Sequence, residues 1–251
     1  MRPFVLSIAG LDPSAGAGVL ADVKTFEQLA VYGLSVCTAI TAQTDKKFLS
    51  VEWQSSAQIM LQLLPLLERF KIEVVKIGLV QNWEVLLEIT SYLHQFGIKK
   101  IVWDPVLGTS TGFKFHQEVS KNSFKKALDQ VALITPNIPE VKKLTGSGDA
   151  ILGAELMSEQ AATLLKGGHG SSKTERVDLL FRNGEIKKEY AHDFVKNGEK
   201  HGSGCILSAA ISAHLALGEN LENACAKGIS YTSNILKSNP TLLGYHTNEK
   251  N

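Results

Sequence analysis

The chain has 251 residues, 44% of them hydrophobic and 20% charged, so it can bury a substantial core and is not disordered. Lysine plus arginine (26) nearly balance aspartate plus glutamate (25), and no basic stripe stands out, which argues against a nucleic-acid partner. The longest apolar runs are strand length, and the opening RPFVLSIAGLD reaches Asp12 too early for a signal peptide or a membrane span.

Short β-rich runs alternate with helical patterns. PFVLSIAG (3–10) reads as a buried strand, GVLADVKTFEQLAVYG (18–33) as an amphipathic helix and LSVCTAITAQ (34–43) as a second strand. SSAQIMLQLLPLLERF (55–70) is helical in pattern, with Pro65 expected to kink or restart it. EVVKIGLV (73–80) is a strand, and NWEVLLEITSYLHQFG (82–97) a helix closed by glycine. KKIVWDPV (99–106) and VALITPN (131–137) are strands on either side of another helix. ATLLKGGH (162–169) is a strand, and VDLLFRNGEIKKEYAHDF (177–194) a hairpin turned at Asn183-Gly184. Two helices, 204–217 and 221–237, close the chain. The alternation predicts an α/β fold with a mainly parallel sheet and helices on both faces. No linker, repeat or low-complexity stretch interrupts 1–251, which reads as one domain.

Cys37, Cys205 and Cys225 are far apart and form no C-x-x-C pair. That argues against a disulfide framework or structural zinc and for a reducing, cytoplasmic setting.

In open α/β sheets, ligands bind beyond the carboxyl ends of the strands. AGLDPSAGAG (9–18), TAQTD (41–45), DPVLGTSTG (104–112), TPNIPE (135–140) and KGGHGSS (166–172) all fall at that edge. GAGVLA (16–21) imitates the dinucleotide fingerprint, but the acidic residue required at the end of the second strand is missing, since Asp45 lies beyond it. No G-x-x-x-x-G-K-[ST] occurs, which excludes a P-loop enzyme.

Each candidate residue has two readings. Asp22 either favours the positive end of its helix or reads a substrate's amine donors together with Gln43. Asp104 is a turn residue or a ligand for a metal or its waters. Asn137 and Glu140 cap a helix, or hold hydrated Mg²⁺ and phosphate. Lys166 is solvated, or neutralises phosphate before Gly167 and Gly168. His169, His192 and His201 have no metal-ligand spacing and read as polar surface or loop residues. Cys205 follows Gly202-Ser203-Gly204 where a helix begins; it is packing, or a thiol whose pKa the helix N-terminus lowers towards neutrality.

Together, SIAGLDPSAGAGVLADVKTFEQLAVYGLSVCTAITAQ, DPV, LITPNIPE, LLKGGH and HGSGCILSAA resemble the ribokinase superfamily. Within it they are most similar to the hydroxymethylpyrimidine/phosphomethylpyrimidine kinases of thiamin biosynthesis. The resemblance implies a ribokinase-like three-layer α/β/α sandwich. It implies that ATP, with Mg²⁺, phosphorylates 4-amino-5-hydroxymethyl-2-methylpyrimidine and then its monophosphate. By the same likeness Gly10, Asp22, Gln43, Leu79 and Val106 would line the pyrimidine pocket. Asn137, Glu140, Lys166 and Gly168 would serve ATP and its phosphates, and Asp104 and Glu140 the metal through water. Gly202, Ser203, Gly204 and Cys205 would form the anion hole, with Cys205 as base. A homodimer is implied as well. Three features depart from the pattern: Ser110 stands where a lysine is common, the segment 146–166 is short, and the C-terminus is brief, with LLGYH (242–246) as its family-like ending. The rival readings are a pyridoxine/pyridoxal kinase, a non-catalytic relative of the fold and a thiol hydrolase. The last lacks a histidine with an evident pairing role.

Overall fold

The computed structural model describes residues 1–108, 115, 120–169, 175–195 and 198–246. The strands are β1 (Phe4–Leu11), β2 (Tyr32–Gln43), β3 (Phe48–Trp53), β4 (Ile72–Ile77), β5 (Ile101–Trp103), β6 (Leu133–Ile134), β7 (Ala162–His169), β8 (Glu175–Arg182) and β9 (Glu185–Asp193). The helices are α1 (Gly18–Gln28), α2 (Ser56–Arg69), α3 (Trp83–Gln95), α4 (Lys121–Leu128), α5 (Ile138–Thr145), α6 (Ala150–Ser158), α7 (Ser203–Ala216) and α8 (Leu221–Lys237).

The nine strands among the described residues join one sheet in the order β3-β2-β1-β4-β5-β6-β7-β8-β9. The pairs from β2 through β7 are parallel, while β3 and the β8–β9 hairpin add antiparallel edges. Parallel strands need both faces covered, and their residues are accordingly apolar on both sides. One core lies between the sheet and α2–α6, with Leu63, Leu86, Phe124, Val141 and Ala154 in it. The other lies under α1, α7 and α8, around Phe26, Leu207, Ile211 and Ile229. This is the expected three-layer α/β/α arrangement. β1 has β2 on one side and β4 on the other, so the direction of winding reverses there. The crevice at that reversal is where such sheets receive ligands.

Local chemistry explains most boundaries. Asn183 (φ 56°) and Gly184 (φ 74°) both adopt the left-handed conformation that a type I′ hairpin turn demands. Ser55 and Gln58 form a reciprocal capping box on α2, as do Asn137 and Glu140 on α5. Gly97 at φ 79° follows α3.

The structure departs from the sequence reading at three elements. Pro65 does not restart its helix: α2 runs unbroken from Ser56 to Arg69, because burial of Ile59, Met60, Leu63 and Leu67 outweighs the lost hydrogen bond. β3 was not anticipated; as an edge strand it is only partly buried and carries a weak apolar signal. The short 146–166 segment holds α6, whose nearly uniform apolarity hides the helical period. No helix among the described residues is long and apolar enough to cross a membrane. Ser110 lies outside the described residues.

Candidate active site

Two glycine turns meet at the carboxyl end of β1. Gly18 (φ 61°) opens α1, and a Cβ on it would lie 2.0 Å from the Gly10 carbonyl oxygen. Gly202 (φ 77°) is the N-cap of α7, and a Cβ there would lie 2.1 Å from the Gly16 carbonyl oxygen. Only glycine satisfies both the positive φ and the close approach. The interlock aims the first turn of α7 at the crevice. N–H groups in a helix's first turn have no partner within the helix, and the positive end of its dipole points the same way.

The cleft formed there is lined by Gln43, Leu79, Val106, Asp104, Asn137, Glu140, Lys166 and the Gly202–Cys205 turn. Most of the residues expected from the sequence therefore converge. Lys166 Nζ donates to Asp104 Oδ1 at 3.1 Å. Gly204 leaves room for both, since a Cβ on it would be 3.3 Å from Lys166 Nζ and 3.7 Å from Asp104 Oδ2. Burial works to raise the Asp104 pKa, but the charges of Lys166 and Lys76 hold it below the ordinary value. Gly168 lies two positions past Lys166 on β7, and the rest of that loop, 170–174, is outside the described residues.

Glu140 is different. Burial pushes its carboxyl up to about 7, opposed by Lys166 and assisted by the nearby charge of Asp104. No cluster of three or more potential metal-ligating side chains occurs among the described residues. The pair Asp104 and Glu140 still suits a magnesium ion, which keeps several waters and takes one or two protein carboxylates. Two carboxylates in one cleft, one of them driven to stay protonated, have the chemistry of a site that gains from an added cation. Folding raises the Glu140 pKa above the ordinary 4.5, so between 4.5 and about 7 the folded chain holds a proton that the unfolded chain has lost. The resulting stability is complete at low pH and disappears as pH rises through that window. Glu140→Gln should therefore differ from the parent in the pH dependence of urea unfolding, with the difference confined to that interval.

Two expected pocket residues are placed elsewhere. Gly10 does not line the cleft; it makes room for Leu79, whose Cδ2 would lie 3.1 Å from a Cβ on Gly10. Asp22 is fully buried behind the cleft. Its Oδ2 accepts from Ser7 Oγ at 2.5 Å and from Lys76 Nζ at 2.8 Å. Lys76 is also fully buried; burial opposes its charge, but Asp22, Cys205 and Asp104 together raise its pKa and keep it protonated. Asp22 is the counter-ion of Lys76 through Oδ2, while its Oδ1 has no hydrogen-bond partner among the described residues. Nothing local announced this pair, because an isolated lysine in a strand has no sequence signature of burial.

The Cys205 thiol also departs from expectation. Burial pushes it up to about 11, and the charges of Asp104 and Asp22 add to that. Lys76 and the Gly18 N–H pull the other way and do not prevail. The helix N-terminus is present, but desolvation outweighs it.

His201, read as a polar surface or loop residue, lies in the turn before α7 and also borders the cleft, with Nε2 2.8 Å from Asp12 Oδ2. Asp12 organises the whole glycine turn, accepting from the backbone N–H groups of Ser14 and Ala17, each at 2.9 Å. Burial acts to raise its pKa, but the bonds from His201, Ser14 and Ala17 leave it lowered. The sequence Asp-Pro-Ser carries the turn signal that could have identified Asp12. His192 is also only partly exposed and faces Asp178. An aromatic wall was missed too. The Phe115 ring packs edge-on against Phe48 at 5.4 Å and Trp53 at 6.0 Å, and Phe48 and Phe115 both border the cleft.

A cationic lysine, two carboxylates and an inward-facing helix N-terminus on a doubly wound sheet define a phosphotransferase-type site in the ribokinase-like fold. The family described as phosphomethylpyrimidine kinase matches residues 12–249. The chain belongs to that family. It is 37% identical to a hydroxymethylpyrimidine/phosphomethylpyrimidine kinase of Rhizobium meliloti, over 92% of this chain and 89% of that one. A crystal structure of phosphomethylpyrimidine kinase from Clostridium difficile is similar at 33% identity and a TM-score of 0.76, over 92% of this chain and 98% of that one. An ADP complex of Bacillus subtilis pyridoxal kinase shares the fold at a TM-score of 0.82 and 24% identity, over 95% and 93% of the two chains.

Proposed function

We infer that this chain uses ATP to phosphorylate 4-amino-5-hydroxymethyl-2-methylpyrimidine, and then its monophosphate to the diphosphate. The observation that carries the reading is the convergence of Lys166, Asp104, Glu140 and the α7 N-terminus on one cleft that also holds Gln43. In this reading Gln43 accepts from the pyrimidine's amine, while Leu79 and Val106 give the ring apolar contact. Lys166 neutralises phosphate. Asn137 and Glu140 lie on the nucleotide side, and Asp104 with Glu140 would hold Mg²⁺, largely through its waters. That ion supplies charge neutralisation for the phosphates. The N–H groups of the Gly202–Cys205 turn receive the charge on the moving phosphoryl group.

Cys205 is assigned as the base that takes the alcohol's proton. With a pKa of about 11 it must first lose its own. Lys76, Gly18 N–H and the helix terminus favour the thiolate; any cation that neutralises Asp104 removes one of the charges opposing it. Cytoplasmic location and a homodimer belong to the same reading, the first from the three unpaired cysteines and the second from the resemblance.

The test is product detection with ATP and the pyrimidine, beside the same assay with pyridoxal and a titration with NAD. Diphosphate formation with a higher kcat/KM for the pyrimidine is expected, and no tight NAD binding. A preference for pyridoxal would replace the substrate assignment, and tight NAD binding would overturn the kinase reading.

A further inference from the structure

Lys200 stands two residues before Gly202 and is only 6% exposed. Its Nζ donates to the carbonyl oxygens of Asn239 and Thr241, each at 2.5 Å, and to Asn239 Oδ1 at 3.4 Å. All three acceptors are neutral. Burial draws its pKa below the ordinary value. An ammonium taken out of water without a counter-ion is costly. A methionine of similar length would fill the same space without that cost, so the position makes use of the charge and its hydrogen bonds.

Those bonds hold a short C-terminal turn. Asn239 Oδ1 accepts from Thr241 N at 2.8 Å, and Asn239 Nδ2 donates to the Leu243 carbonyl at 2.9 Å. The turn in turn meets the active site. His201 N donates to the Leu242 carbonyl at 2.9 Å. At Gly16 a Cβ would lie 2.8 Å from Leu243 Cδ2 and 2.6 Å from His201 Cδ2, so both side chains press on the first glycine turn. That turn is the one whose carbonyl touches Gly202.

We propose that Lys200 is a positioning residue for phosphoryl transfer: its ammonium clamps residues 239–243 onto the two glycine turns and thereby fixes the anion hole. The proposal rests on the phosphotransfer reading of the site, but its structural half can be measured without catalysis.

The experiment compares Lys200→Met, a chain ended after Ser238, and the two combined. Backbone hydrogen exchange is followed at residues 239–246 in Lys200→Met, and steady-state kinetics of both phosphorylations in all three. Lys200→Met is expected to speed exchange in that segment. It should lower kcat of both steps by roughly tenfold or more, less than the ~10²-fold or greater loss from deleting an anion-hole donor. KM for the pyrimidine should change little. Because the lysine and the segment act as one unit, the combined variant should lose no more than the worse single one. Asn239→Ala, which keeps Lys200 and its carbonyl partners, should move exchange and kcat in the same direction and serves if Lys200→Met does not fold. Unchanged exchange, unchanged kcat, or losses that multiply in the combined variant would overturn the proposal. Absence of kinase activity in the parent with faster exchange in the variant would overturn the phosphotransfer reading and leave the clamp standing.

Discussion

Cys205→Ala is expected to cripple phosphorylation of the alcohol while sparing phosphorylation of the monophosphate. In the first step an alcohol must lose its proton as the bond forms, and a positioned base contributes typically ~10²–10⁴-fold. In the second, the nucleophile is a phosphate oxygen already anionic near neutral pH, since a phosphate monoester's second pKa is about 6. Both steps need the N–H groups of the Gly202–Cys205 turn, and alanine leaves those in place. The raised thiol pKa adds a second expectation. With its pKa at about 11, only about one thiol in 10³ is ionised at pH 8. In the parent, kcat/KM for the alcohol should therefore climb as pH rises from 7 towards 9, while that for the monophosphate stays nearly flat. In Cys205→Ala the climb should vanish. Single-turnover rates with alcohol and monophosphate supplied separately decide the matter. An equal loss in both steps would make Cys205 a shaper of the anion hole; no loss in either would make it packing.

Asp22→Ala is expected to be the most destabilising single change near the site. Read from the sequence, Asp22 would bind substrate, and alanine would weaken only the pyrimidine. The structure adds a larger, structural cost. Removing Asp22 leaves the Lys76 ammonium fully buried without its counter-ion. Breaking a buried pair from one side costs about 3–5 kcal/mol, or roughly 6–20 °C in melting temperature for a chain of this size. Asp22→Ala combined with Lys76→Met should recover much of that loss, because the stranded charge is gone. Thermal unfolding of the three variants measures it. A single variant that melts with the parent, but binds the pyrimidine more weakly, would restore the substrate-binding reading of Asp22.

Much of the fold was legible because it is written in local periodicity. Buried parallel strands such as VLSIAG and VVKI, the Asn183-Gly184 turn and the cap at Asn137 each depend on residues within a few positions. α6 and β3 escaped for the same reason in reverse: one is apolar all round, the other lies half in water at an edge, so neither has a clear period. The site was legible as a set of strand ends that topology had to gather, and Gln43, Asp104, Glu140, Lys166 and Cys205 do gather there.

By itself the sequence determined the alternation of elements, the glycines that allow two turns to interlock, and the residue types available at the ligand edge. Only the tertiary structure decided which of those residues face the cleft and what charge state they hold. Asp22 finds Lys76 across 54 positions of chain, and His201 finds Asp12 across 189. The Cys205 thiol responds at once to burial, to Lys76 on β4, to Asp104 beyond β5 and to Gly18 on α1. Helical and strand periods arise from contacts a few residues apart, so a sequence displays them. Desolvation and Coulomb energies depend on three-dimensional distance and exclusion of water, which no local pattern records.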